Sequence, residues 1–177
     1  GQNAHTYRYE GGGAAVLGSI QPQPIENAPD GSLPLDKIAA AVKADDFHFA
    51  RTRLLALENT IGGKVLPAEY VQQATALARE HGLATHLDGA RLFNAAVATD
   101  TSLKQLCQPF DSVSLCFSKG LGTPMGSALV GSQALIDRAG ALTAFADCPD
   151  DQRLATAHVA GGKNLIDRGP VIVGIGL

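Results

Sequence analysis

The sequence lacks the features that would place it among nucleic-acid-binding, membrane or secreted proteins. Its 14 Lys and Arg are outnumbered by 17 Asp and Glu, which gives a formal net charge of −3. This balance provides no positive field for nucleic acid, so no such partner is expected. No apolar run approaches the ~20 residues that cross a bilayer, and the amino-terminal residues lack the charged-then-apolar layout of a secretory signal. We therefore expect no membrane association and a cytoplasmic location.

Cysteine is scarce, and no phosphate-binding loop is present. The three cysteines, Cys107, Cys116 and Cys148, are an odd number, widely spaced and without a C-x-x-C pair. This pattern argues against a disulfide scaffold and a structural zinc site, so free thiols are expected. The glycine-rich stretch "TIGGKVLP" is not a phosphate loop, because Lys64 precedes valine rather than serine or threonine.

Two stretches have the apolar spacing of helices. Residues 34–47 carry apolar side chains at roughly helical intervals. Residues 67–81 repeat the pattern, with Pro67 suited to a first helical turn and Gly82 suited to ending the helix.

Short apolar runs alternate with these helices along the chain. They predict buried strands at residues 51–60, 83–88 and 111–118, another apolar strand after the turn that follows within the stretch 112–131, and a strand-like edge at residues 14–25. Helix and strand in alternation predict an α/β fold, a mostly parallel sheet flanked by helices, in a single domain.

Polar residues follow three of the predicted strands. The clusters are Glu58-Asn59-Thr60, Asp88-Gly89-Ala90-Arg91 and Ser118-Lys119-Gly120. In open α/β sheets, ligands bind beyond the carboxyl ends of the strands. Right-handed connections would bring these clusters to one edge, which is where we expect the site.

Asp88 and Lys119 are the ionisable residues whose placement most needs a reason. One interpretation is a structural ion pair at the sheet edge. The other is a pyridoxal phosphate site, which needs a lysine to bond the cofactor and a carboxylate to keep the pyridine nitrogen protonated. Burial would lower the pKa of such a lysine, and the glycines at 120 and 122 would let a cofactor approach the backbone. The residue pattern alone leaves both interpretations open.

His86 and Asp88 lie two apart on a predicted strand and share a face, which is a spacing that metal ligands also use. No third ligand accompanies them in the sequence. No metal site is therefore predicted.

Several segments together resemble a known family. The stretches "HTYRYEGGGAAVLGSIQPQPI", "DDFHFARTRLLALENT", "HLDGARLFNAAVA" and "SVSLCFSKGLGTPMGSALVGS" are similar to the low-specificity L-threonine aldolases, which are fold-type-I pyridoxal phosphate enzymes. The resemblance covers about residues 1–138. It implies part of the large domain of the fold-type-I, aspartate-aminotransferase-like fold, with pyridoxal 5′-phosphate as cofactor.

The resemblance also implies site roles. Lys119 would be the Schiff-base lysine, Asp88 the partner of the pyridine nitrogen, and Arg91 the contact to the cofactor's phenolic oxygen and the substrate carboxylate. His5 would stack on the cofactor ring and reach the substrate hydroxyl. His48 would lie near the same hydroxyl, although a histidine satisfied between two phenylalanines explains it nearly as well. The base is left open between His5, His48 and an ordered water.

The implied activity is carbon–carbon cleavage of L-threonine or L-allo-threonine into glycine and acetaldehyde, in threonine catabolism and glycine biosynthesis, by a homo-oligomer. The alternatives are another fold-type-I reaction, namely β-elimination or transamination, and a catalytically inactive fragment. Residues 139–177 do not match the family, and "ENTIGG" stands where it tends to have "ENTHNG". We therefore expect a truncated or divergent member, whose uncharged end "PVIVGIGL" is an aggregation hazard unless it is paired in a sheet.

Overall fold

The computed structural model describes residues 1–145, 155–158 and 171–175. These residues form an α/β fold, as predicted from the alternation of helix and strand. The chain divides into two compact units, Gly1–Asp88 and Gly89–Leu177.

The first unit contains four α-helices, a 3₁₀ turn and two strands among its elements. They are α1 His5–Arg8, the 3₁₀ turn Glu10–Gly12, α2 Gly13–Val16, α3 Leu35–Ala41, β1 Leu54–Glu58, α4 Ala68–Glu80 and β2 Ala84–Gly89. Strands β1 and β2 pair in parallel, with Leu54 opposite Ala84 and Glu58 opposite Asp88. The predicted strands at 51–60 and 83–88 are therefore confirmed, and so is their parallel direction.

Helix α4 shows why this part of the sequence folds as predicted. Pro67 occupies the N-cap position immediately before its first residue, without a side-chain cap bond, and Gly82 follows the helix with a φ of +67°, a conformation that glycine adopts without strain. Val71, Ala74 and Ala78 recur at helical spacing and are buried, so they form the face that packs on the core.

Buried apolar side chains also alternate along the strands of this unit. Leu55 and Leu57 are buried in β1, while Leu54 is half exposed. In β2, Thr85 and Leu87 are each 1% exposed. The period of two follows from the pleat, which turns successive side chains to opposite faces.

The predicted strand-like edge at residues 14–25 is wrong. Gly13–Val16 is a short helix, and residues 19–28 have no regular secondary structure. Val16 and Leu17 are 74% and 88% exposed, so these apolar residues do not enter a core within the described chain. Small residues at the start of this segment permit a helical turn, and the two prolines further on remove the N–H groups that strand pairing needs.

The second unit contains three helices and four strands among its described residues. They are α5 Leu92–Thr99, α6 Leu103–Cys107, β3 Ser112–Cys116, β4 Ser127–Gly131, α7 Gln133–Phe145, β5 Ala155–His158 and β6 Val171–Ile175. Strand β3 pairs antiparallel with β4, which pairs antiparallel with β6, and β6 pairs antiparallel with β5. The backbone of the apolar carboxyl-terminal run is thus paired on both sides over β6, which answers the aggregation concern for those residues.

Two of the three cysteines lie within the described residues. Cys107 is buried and Cys116 half-buried, and neither is in a disulfide, as predicted. Cys148 lies outside the described residues. None of the helices in the described part of the chain is long and apolar enough to cross a membrane.

Candidate active site

The carboxyl ends of the two parallel strands bring two acidic residues into register. Glu58, the last residue of β1, lies opposite Asp88 in β2. Just beyond, the backbone N–H of Asn59 donates to the backbone carbonyl of Asp88 at 2.9 Å. Asn59 is itself buried, and its side-chain oxygen accepts from the Leu66 N–H at 3.3 Å. Two of the three predicted polar clusters therefore meet at one edge, as expected for this unit.

Glu58 also binds the amino-terminal segment. Its carboxylate accepts the backbone N–H of His5 at 2.7 Å. Burial raises the pKa of the Glu58 carboxyl and the nearby Asp88 charge raises it further, while the bond from His5 opposes both. The site thus contains two neighbouring carboxyls, one of which is tied to the residue predicted to stack on the cofactor.

His5 is held at its ring as well as at its backbone. Its Nδ1 lies 2.8 Å from Oε1 of Glu10, and the His5 and Glu10 side chains are 48% and 60% exposed. The ring also packs against Tyr9, with centroids 4.8 Å apart and planes inclined by 41°. The predicted stacking residue is therefore a half-exposed imidazole with one nitrogen in contact with a carboxylate.

His48 lies in a loop between α3 and β1. Its Nδ1 is 2.7 Å from Oδ1 of Asp46, and its backbone N–H donates to the same oxygen at 2.8 Å. These bonds lower the pKa of the Asp46 carboxyl. The His48 ring contacts Phe47, with centroids 3.8 Å apart, and the Phe47 side chain is 91% exposed. His48 is an exposed histidine with an oriented ring rather than a core residue.

The second unit carries Arg91 and Lys119. Arg91 immediately precedes α5, and its carbonyl accepts the N–H groups of Asn94 and Ala95. Lys119 lies in the turn between β3 and β4 and is exposed. The burial that would lower the pKa of a Schiff-base lysine is therefore not seen at Lys119, because β3 ends before it and the residue is exposed.

The turn around Lys119 closes on itself through backbone bonds. The Phe117 N–H donates to Gly126 at 2.8 Å, the Thr123 N–H to Phe117 at 3.2 Å, and the Gly122 N–H to Lys119 at 3.0 Å. Gly122 has a φ of +65°, which suits glycine, and a Cβ added there would have nothing within 4 Å. An added Cβ at Gly120 would lie 2.6 Å from Oδ1 of Asn94. The lysine thus stands on a defined loop with open space beside one of its glycines.

His86 is the remaining histidine near the strand ends. It lies two residues before Asp88 in β2, opposite Ala56. Burial lowers the pKa of His86, and the charge of Asp88 partly opposes that shift. Among the residues that the structure describes, no group of three or more His, Cys, Asp or Glu is arranged to hold a metal ion.

The structure adds Glu10 and Glu58 to the residues inferred from sequence. Glu58 stands in a strand-end cluster that the sequence already marked, so its position was a usable signal. Glu10 precedes three glycines and has a φ of +56°, which few non-glycine residues adopt. Only the backbone conformation and the contact with His5 reveal it.

The chemistry of these donors fits pyridoxal 5′-phosphate, unit by unit. In the first unit, Asp88 is a carboxylate at a strand end and His5 a half-exposed flat ring. In the second, Lys119 offers a primary amine from a glycine-flanked turn, and Arg91 a guanidinium before a helix. The ring nitrogen, the aldehyde and the anionic groups of pyridoxal 5′-phosphate would each have a residue of a type that binds them.

An α/β fold that carries an acid at a strand end and a lysine in a glycine-flanked turn is consistent with the pyridoxal-phosphate-dependent enzymes of fold type I, the class of the solved threonine aldolase described below. The chain belongs to the β-eliminating lyase family, whose sequence model matches residues 1–145. That span includes His5, His48, Asp88, Arg91 and Lys119. Threonine aldolases and β-eliminating lyases of this fold depend on pyridoxal phosphate.

Two curated relatives are low-specificity L-threonine aldolases. Over 139 residues the chain is 63% identical to the low-specificity L-threonine aldolase of Escherichia coli O157:H7, which covers 78% of this chain and 42% of that protein. A low-specificity L-threonine aldolase of Arabidopsis thaliana is 43% identical over 144 residues, covering 78% of this chain and 40% of the relative. The chain therefore spans about two fifths of the length of these relatives.

A solved structure agrees in fold. The threonine aldolase of Leishmania major superposes with a TM-score of 0.62 at 26% identity, over 72% of this chain and 38% of that one. The α/β architecture inferred from sequence is thus also that of a threonine aldolase.

Proposed function

We propose that this chain is part of a pyridoxal-phosphate-dependent carbon–carbon lyase that cleaves L-threonine or L-allo-threonine into glycine and acetaldehyde. The observation that carries the proposal is the 63% identity to a low-specificity L-threonine aldolase across the segment that contains all five predicted site residues. The geometry supports it, since Asp88 lies at the end of a parallel strand and Lys119 in an exposed turn.

Each site residue has a distinct task in this proposal. Lys119 holds the cofactor through its amine, and Asp88 keeps a proton on the pyridine nitrogen. Arg91 binds the phenolic oxygen and the substrate carboxylate, which orients the bond to be broken. When bound, the cofactor supplies an electron sink for the charge left at the α-carbon.

The proton of the substrate hydroxyl needs an acceptor, and both histidines have a suitable arrangement. An ionised carboxylate only accepts hydrogen bonds, so the Nδ1 of His48 carries the proton of its bond to Asp46. The 2.8 Å contact between His5 Nδ1 and Glu10 favours the same arrangement in His5. Nε2 is then the acceptor in each neutral ring. His5, His48 and an ordered water all remain in the proposal as the base.

One experiment tests the cofactor and the lysine together. The purified protein is mixed with pyridoxal phosphate, its visible spectrum is recorded, and the adduct is reduced with borohydride and mapped by mass spectrometry. We expect a visible band and a reduced adduct confined to Lys119. Lys119→Ala should remove both, while the exposed Lys104→Ala should retain them. A wild-type protein without the band contradicts the proposal and favours an inactive fragment.

Product analysis then separates aldol cleavage from the other reactions of this fold. The family description itself names β-elimination, so this alternative is retained. Incubation with L-threonine and L-allo-threonine should release glycine and acetaldehyde in equal amounts. A keto acid in place of glycine would assign elimination or transamination instead.

The proposal extends to the organisation of the protein. Residues 1–138 would form part of the cofactor-binding large domain, with residues 139–177 as a segment of different character. The enzyme would be a cytoplasmic homo-oligomer in threonine catabolism and glycine biosynthesis. The matched length of 139 residues in the relative supports the first of these statements.

A further inference from the structure

We propose that Glu10 and Glu58 are positioning residues for His5. Glu58 fixes the place of the His5 backbone, and Glu10 fixes which nitrogen of the His5 ring carries the proton. The inference rests on the proposed function in one respect, the assignment of His5 to the cofactor ring and the substrate hydroxyl. Its geometric part concerns this chain alone.

The first step concerns the backbone of His5. His5 is the first residue of α1, whose N-cap, Ala4, has no side chain that could bond the free N–H groups of the first turn. The Glu58 carboxylate bonds the first of them, at 2.7 Å, from 53 residues away in the sequence. Because Glu58 is opposite Asp88 in the parallel register, this bond ties His5 to the strand pair that ends in Asp88.

The second step concerns the ring of His5. An unconstrained neutral imidazole carries its proton mainly on Nε2. The Glu10 carboxylate oxygen lies 2.8 Å from Nδ1, and this contact favours a proton on Nδ1 over a lone pair facing the carboxylate. Nε2 is then an acceptor, which is the state a general base needs.

The third step concerns the backbone of Glu10. Its φ of +56° lies in the left-handed region, which is unfavourable for a residue with a β-carbon. The Glu10–His5 pair is exposed, so it adds little to stability. Stability therefore gives no reason for a glutamate at this strained position, whereas orientation of the His5 ring does.

Nuclear magnetic resonance of the imidazole nitrogens tests the role of Glu10 without a cofactor. In the wild type, His5 should show the Nδ1–H tautomer. Glu10→Gly removes the carboxylate and suits the left-handed backbone, so it should fold and shift His5 to mainly the Nε2–H tautomer. The control Gly11→Ala strains the same turn, at φ +58° with open space around an added Cβ, and should leave the tautomer unchanged. An unchanged tautomer in Glu10→Gly overturns this assignment.

Hydrogen exchange tests the role of Glu58. Glu58→Ala should speed exchange of the His5 amide by about tenfold or more, because the amide loses its acceptor. Glu58→Gln retains an oxygen for that amide and should keep most of the protection, while Glu80→Ala, an exposed control, should have no effect. Equal exchange in Glu58→Ala and wild type would overturn the backbone step.

Activity links both steps to the proposed function. If wild type binds pyridoxal phosphate and releases glycine, Glu10→Gly should lower kcat by roughly 10- to 100-fold with a smaller change in KM, since the ring is misoriented rather than lost. The tautomer result and the wild-type activity are independent readouts. A wild-type protein without activity would contradict the proposed function, whereas an unchanged His5 tautomer in Glu10→Gly would contradict only the role of Glu10.

Discussion

At the residue scale, His86 couples the fold to pH. Burial lowers the pKa of its imidazole, so the folded protein binds this proton less readily than the unfolded chain. The stability contributed by neutral His86 is complete above the ordinary histidine pKa of about 6.5 and is lost as the pH falls below it. Asp88, the charged residue that opposes the shift, limits the size of the effect.

We predict that the free energy of unfolding decreases between pH 7.5 and 5.5, with a slope from this group of at most about 1.4 kcal/mol per pH unit. His86→Gln should reduce that slope, and the exposed His81→Gln should leave it unchanged. Urea unfolding at several pH values measures it. Identical slopes in wild type and His86→Gln would contradict the assignment.

Gly31 is a residue whose lack of a side chain is required by its neighbour. Its φ is +94°, and a Cβ placed on it would overlap Cγ2 of Ile61, which is buried. Gly62 also has a positive φ, +55°, but an added Cβ there has nothing within 4 Å. Substitutions at these two glycines therefore distinguish the cost of steric overlap from the cost of a strained backbone.

We predict that Gly31→Ala destabilises the protein by about 1–3 kcal/mol more than Gly62→Ala, since both incur the strain of a positive φ but only the first must displace Ile61. Chemical denaturation of the two variants measures the difference. Equal losses of stability would mean that Ile61 moves aside without cost.

A site residue could be predicted from the sequence only when its position depended on the neighbouring residues in the chain. Asp88 and Lys119 could be found because they follow apolar strands, a relation that is local in the chain. The exposure of Lys119 could not, because it depends on where β3 ends and how the turn leaves it. Glu10 could not either, since its contact with His5 depends on a left-handed backbone angle that three following glycines only suggest.

At the scale of elements, the helices and strands with a regular apolar period were predicted correctly. Helix α4 and strands β1 and β2 have strong apolar patterns, and the structure forms them close to the predicted bounds. Residues 14–25 have small and β-branched residues without a clear period, and the predicted strand there is absent. Where the apolar pattern was weak, small residues and prolines determined the backbone conformation instead.

The β2 core supplies a test at this scale. Leu87, between His86 and Asp88, is 1% exposed, whereas Leu54 at the start of β1 is 49% exposed. We predict that Leu87→Ala destabilises by about 2–5 kcal/mol, because it loses buried apolar surface and leaves a cavity. Leu54→Ala should have a much smaller effect, and calorimetry of both compares them. A similar loss in the two variants would argue against the described burial.

At the scale of the whole molecule, ligand binding should be visible as stability. A ligand that binds only the folded state stabilises it by about 2.7 kcal/mol at a concentration 100 times its dissociation constant. We predict that excess pyridoxal phosphate raises the midpoint of thermal unfolding, and that Lys119→Ala reduces the rise. Pyridoxine phosphate, which lacks the aldehyde, should give a smaller rise than pyridoxal phosphate in wild type. No difference between the two compounds would argue against a bond to Lys119.

The self-closed loop between β3 and β4 has a consequence for engineering. Backbone hydrogen bonds of Phe117, Thr123 and Gly126 close the base of this loop. The exposed positions Leu121 and Met125 can therefore be randomised in a library without removing the bonds that hold the Lys119 turn in place. Randomising Gly126 would instead strain the loop, because its φ is +120° and an added Cβ would lie 3.1 Å from the Phe117 ring, so such clones should be lost early in a screen.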